Sequence, residues 1–74
     1  METESSLRKL GWKKIFEKSW KNGNRFVEYD DEYVDIYTWN DGKKDKGYLT
    51  IEEYKLFYYL ILAQTPIRLK YKKE

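Results

Sequence analysis

From Tyr33 to Trp39 the side chains alternate, with Val34, Ile36 and Thr38 on one side and Tyr33, Asp35, Tyr37 and Trp39 on the other. This is the period of a half-buried strand. Phe26–Tyr29 reads the same way, and the preceding Asn22-Gly23 is the strongest short hairpin signal. A turn at Asp30-Asp31-Glu32 joins the two strands. Trp12 to Trp20 fits two periods at once. Trp12, Ile15, Phe16 and Trp20 share a helix face, while Trp12, Lys14, Phe16, Lys18 and Trp20 alternate as a strand would. The hairpin signal that follows favours the strand. "NDGKKDKG" reads as a polar, glycine-containing loop.

The period then lengthens. "TIEEYKLFYYLILAQ" opens with Thr50 as N-cap and Glu53 three residues later, a capping box, and Pro66 ends the helix. "TESSLRKLG" forms a short first helix with Ser5 or Ser6 as N-cap and Gly11 as stop. The expected fold is α+β: a three-stranded antiparallel meander packed by a C-terminal helix, preceded by a short N-terminal helix. Residues 1–74 form one small domain, with 1–6 frayed and 66–74 a C-terminal edge strand or tail. As a strand, the tail turns Ile67, Leu69 and Tyr71 to the core.

The long helix carries two apolar stripes. Ile51, Tyr54, Phe57, Tyr58, Ile61 and Leu62 are expected to cover the sheet. Leu56, Tyr59, Leu60 and Ala63 lie to one side, and a helix apolar on most of its circumference should be buried on most of it. The second stripe is therefore expected to pair with a second copy, unless the tail or first helix covers it.

Composition sharpens this. Eight Tyr, three Trp and three Phe in 74 residues are many rings for so short a chain. Such a chain buries only about 60% of the surface that its unfolded form exposes. There is no Cys and no His, which removes disulfides, thiolates and imidazole ligands together. A partner subunit or partner protein is the remaining support. No charged-then-apolar leader opens the chain, and the longest apolar run, Leu56 to Ala63, is too short for a membrane span. A soluble, cytoplasmic protein without cofactor is expected.

The net charge of +2 conceals segregation. Residues 8–25 hold seven Lys or Arg against one acid, and residues 26–42 hold six acids and no base. Lys13, Lys14, Lys18, Lys21 and Arg25 lie near Trp12, Phe16 and Trp20, the mixture that single-stranded nucleic-acid binders use. In "EYDDEYVDIYTW", Glu28, Asp30, Asp31, Glu32 and Asp35 lie among Tyr37, Trp39 and other rings. Carboxylates spaced along a surface imitate a row of phosphates, and such a face fits a basic channel built for DNA. The bland reading of either block is a solvated face.

Other chemistries fail on the residues. "DKGYLTIEEY" matches the second half of a calcium loop, but Gly42, Lys44 and Lys46 occupy places that need carboxylates. No phosphate-cradling glycine loop is present. Without His or Cys, and with acids expected to be solvated, an enzyme is not expected.

"LGWKKIFEK", "RFVEYD", "VDIYTW" and "GYLTIEEYKLFYYL" resemble, in that order, small orphan proteins of Gram-positive phages. Some staphylococcal phage proteins of this kind halt host replication by binding the DNA sliding clamp. The resemblance implies a host-takeover inhibitor whose acidic aromatic face meets the clamp's DNA channel. "QTPIRLKY" also resembles the peptide with which replication proteins dock on the clamp. Gln64, Ile67 and Tyr71 fall on motif positions, Leu69 lies between them, and Lys70 replaces the first aromatic. The alternative is a phage accessory protein that binds single-stranded DNA or RNA directly.

Overall fold

The computed structural model describes residues 3–30, 32–64 and 70–71. Its elements are α1 (Thr3–Lys9), β1 (Lys13–Phe16), β2 (Ser19–Asn22), β3 (Arg25–Tyr29), β4 (Tyr33–Asn40), β5 (Lys43–Lys46), α2 (Ile51–Gln64) and β6 (Lys70–Tyr71). The α+β class stands, but the three-stranded meander does not. Strands β1 to β5 form a five-stranded antiparallel sheet in chain order, and β6 runs parallel to the start of β4.

The two additional strands arise from turns that the hydrophobic pattern concealed. Trp12 to Trp20 is neither helix nor single strand. The chain reverses at Glu17-Lys18, and Lys14 pairs with Trp20. A register shift between Lys14 and Phe16 absorbs Ile15 as a bulge. The segment read as a loop is a hairpin: Asn40 pairs with Lys43 across Asp41-Gly42. Both turn residues have positive φ, 51° and 76°, which a type I′ turn requires and Asp-Gly supplies. The β2–β3 turn lies one residue later than Asn22-Gly23. Asn22 pairs with Arg25, and only Gly23, at φ 64°, is left-handed, as in a type II′ turn.

Register then assigns the two sheet faces. Trp20, Val27 and Ile36 align across β2, β3 and β4 and face the helices. The core is Leu7, Trp12, Trp20, Val27, Tyr29, Phe57, Leu60 and Ile61, with Val34, Ile36, Leu49 and Leu56 packed against it. Phe57 meets Trp12 and Trp20 edge to face, at centroid separations of 5.0 and 6.0 Å. Burial of this many rings supplies most of the driving force in so small a chain. Helix α1 packs against α2; it starts at Thr3, so Ser5 and Ser6 lie within it rather than capping it.

Helix α2 lies in a different rotation from the one its apolar stripe suggests. Glu53, Phe57, Leu60 and Ile61 are buried, and Ile51, Tyr54, Tyr58, Tyr59 and Leu62 are exposed. The expected dimer stripe therefore divides: Leu60 belongs to the core and Leu56 packs on it, while Tyr59 and Ala63 remain at the surface.

Candidate functional site

Arg25 and Glu53 explain that rotation. Thr50 and Glu53 form the expected capping box: the Glu53 N–H donates to Thr50 Oγ1 (3.1 Å), and the Thr50 N–H donates to Glu53 Oε1 (2.9 Å). The same carboxylate accepts Arg25 Nη1–H at Oε1 (2.8 Å) and Arg25 Nη2–H at Oε2 (2.7 Å), a bidentate pair. The indole N–H of Trp12 donates to Oε2 at 3.0 Å. The Arg25 guanidinium lies between two rings, 5.0 Å from the Trp12 centroid and 4.9 Å from that of Tyr48.

This clasp joins β3, the α1–β1 connection and the start of α2. Although burial raises it, the Glu53 carboxyl is held down at about 2 by hydrogen bonds from Arg25, Thr50 and Trp12. A carboxylate with every acceptor site committed is structural, not a general base. Arg25 is raised by the same pairing. Its engagement, together with the burial of Trp12 and Trp20, removes three of the groups on which the first nucleic-acid reading depended.

Among the described residues no helix packs on the opposite face of the sheet, although Tyr37 and Asp35 there are themselves buried. Across β2, β3 and β4, Lys21 aligns with Phe26 and Phe26 with Tyr37. The Phe26 and Tyr37 rings stack at 5.0 Å, within 6° of parallel. Lys21 and Lys44 cap the two ends of this stack, at 5.6 Å from the Phe26 centroid and 4.3 Å from that of Tyr37. Trp39 meets Tyr37 edge to face at 6.5 Å and is 45% exposed.

Of the acids expected on a turn and one strand face, Glu28 and Asp35 are direct partners across β3 and β4, on the face that carries Tyr37. Glu28 accepts the Tyr37 hydroxyl at 2.6 Å, and Asp35 pairs with Lys44 at 3.0 Å. Asp30 Oδ1 accepts the backbone N–H groups of Glu32 and Tyr33, building the β3–β4 turn. Asp31 lies outside the described residues. Burial, followed by the bond to Glu28, pushes the Tyr37 hydroxyl well above its usual range. Burial also raises Tyr29, an effect that the neighbouring Trp20 indole opposes, although among the described residues the buried Trp20 N–H has no acceptor at hydrogen-bonding geometry.

Of the expected docking segment, Gln64 closes α2, Ile67 and Leu69 lie outside the described residues, and the Tyr71 backbone pairs with Val34. Among the described residues no group of acids is placed to hold a metal ion, and no helix is long and apolar enough to cross a membrane.

Sequence reasoning missed Phe26, Lys44 and Lys46 as surface groups, and Ile51, Tyr54, Tyr58 and Leu62 as exposed. The register could have placed the first three, since each follows once both hairpin turns are fixed. No single-chain signal gives the rotation of α2. The chain matches no protein-family model, no curated protein and no solved structure.

Proposed function

We propose that this chain is a small, non-catalytic binding module that occupies a partner protein with the outer face of α2. One observation carries the reading: Ile51, Tyr54, Tyr58 and Leu62, spaced i, i+3, i+7 and i+11, are all exposed, and Tyr59 lies beside them. The first of them is 77% exposed. That spacing is how a helix presents anchors to an apolar groove. Tyrosine suits such a surface because its ring buries well while its hydroxyl tolerates water.

The sliding clamp is the first target, on the strength of the sequence resemblance and of the chain order. The exposed stripe leads directly into Gln64 and the segment that resembles a clamp-docking peptide. The acidic-face route has less support, because Glu28, Asp35 and Asp30 are each engaged within the fold. Inhibition would act by stoichiometric occlusion of the clamp's peptide groove.

Calorimetric titration of a purified Gram-positive sliding clamp tests this. Saturable binding that Leu62→Glu weakens at least about tenfold, the effect of losing one buried anchor, supports both surface and target. No heat with the clamp removes the target. Unchanged affinity in Leu62→Glu and Tyr58→Ala removes the surface. If the wild type instead sediments as a dimer that Tyr58→Glu splits, the occupant of the stripe is a second copy.

A further inference from the structure

The sheet face opposite the helices carries a second, independent surface. Lys13, Lys21, Lys44 and Lys46 project from it with Phe26, Tyr37 and Trp39. Its acids, Glu28 and Asp35, are held by the Tyr37 hydroxyl and by Lys44. Trp39 and Lys44 are partners at the β4–β5 end, one step from Tyr37 and Lys46.

We propose that this end of the sheet binds single-stranded nucleic acid, with one base stacked on Trp39 and the adjoining phosphates along Lys46 and Lys21. Phe26 and Tyr37 are poor stacking sites, because each is covered by the other and by a lysine. Their stack instead props Trp39, whose ring is the exposed one of the three. A base accepts such a ring whatever its identity, so the site would read strand and charge rather than sequence.

The acidic turn does not forbid this. Trp39 is six residues along β4 from Tyr33, a separation of about 20 Å at the rise of a strand. Charges that far apart are screened at physiological salt, where the Debye length is about 8 Å. On this face as a whole, Lys13, Lys21, Lys44 and Lys46 outnumber Glu28 and Asp35. The occupant is a single strand rather than a duplex because the recognition element is a ring that needs an unstacked base.

The test is fluorescence anisotropy of labelled oligothymidylate and oligouridylate, each about 12 nucleotides and within the range of a small stacking site, at about 50 and 200 mM salt. Binding in the micromolar range is expected, weakening steeply with salt. Trp39→Ala should cost about tenfold or more. Lys46→Gln should lower the salt slope by about 0.7, the value for one phosphate of a single strand. Lys55→Gln, a charge-matched change on α2, should leave both unchanged.

Backbone amide shifts on titration of the wild type should concentrate at Phe26, Tyr37, Trp39, Lys44 and Lys46, which locates the site without any variant. No binding at low salt overturns the proposal. So do shifts centred on α2, or losses that are equal for Lys46→Gln and Lys55→Gln, since either places the strand elsewhere. Failure here leaves the α2 reading untouched, because that reading concerns the opposite face and a protein partner.

Discussion

Glu53 and Asp35 each meet one cation on opposite faces of the same sheet, Arg25 at 2.7 Å and Lys44 at 3.0 Å. On the helix side both partners are shielded, the carboxylate is fully hydrogen-bonded, and two rings sandwich the guanidinium. On the open side Lys44 is substantially exposed, and water screens much of the attraction. The first pair determines how α2 sits. The second adjusts a surface. Similar charges at similar distances thus do unlike work, because burial and the number of hydrogen bonds decide what a pair contributes.

The sharpest way to break the comparison is to remove one partner from each pair. Arg25→Met should destabilise the fold by about 3–5 kcal/mol in urea denaturation, because it strands a buried carboxylate. Lys44→Gln should cost about 0–1 kcal/mol. The double variant Arg25→Met/Glu53→Leu should recover much of the first loss, since an apolar pair of similar size needs no desolvation. Failure of that recovery would mean that the capping box and the Trp12 contact, not the charge pair, hold α2.

Acid should separate the pairs next. The folded-state value of Glu53 lies near 2, below its ordinary 4.5, so its contribution is complete above pH 4.5. It is lost as pH falls through that value toward 2, a change of about 3 kcal/mol at ~1.4 kcal/mol per unit. Thermal melts of Glu53→Gln should show a smaller drop across this window than the wild type. At the other extreme, Tyr37 and Tyr29 are raised above the usual phenol value. Their contribution is complete below pH 10 and is lost as pH climbs beyond it, so Tyr37→Phe should flatten the alkaline limb of the melt.

The Tyr37 hydroxyl contributes less than the Arg25–Glu53 pair. Tyr37→Phe at neutral pH should cost about 0.5–1.5 kcal/mol, the net worth of one hydrogen bond. A larger loss would show that Glu28 is left without a donor from solvent.

Legibility in the sequence followed how much of each element is local. The capping box of Thr50 and Glu53 and the alternation of Tyr33–Trp39 could be read because caps and strand periods are decided within a few residues. The β4–β5 hairpin was concealed although Asp41-Gly42 is a strong turn signal, because Lys43–Lys46 has no apolar residue. An edge strand exposed along its length needs none, and charges there discourage edge-to-edge pairing. The break at Glu17-Lys18 lacks glycine and interrupts neither candidate period.

The rotation of α2 was hidden for a different reason. Patterning places a glutamate outward, so Ile51, Tyr54, Tyr58 and Leu62 align as an inner face. Glu53 turns inward because Arg25, 28 residues earlier in the chain, waits on the helix-facing side of β3. The exposed stripe of α2 is a consequence of that long-range pair: what Glu53 draws inward, the tyrosines must leave.

The central claim is the rotation, and paired truncation measures it most directly. Leu60 is 6% exposed and Tyr58 is 45% exposed, two positions apart on one helix. The account predicts that Leu60→Ala lowers unfolding free energy by about 2–5 kcal/mol, while Tyr58→Ala changes it by about 0.5 kcal/mol or less. A reversed order, with Tyr58→Ala the damaging change, would contradict it.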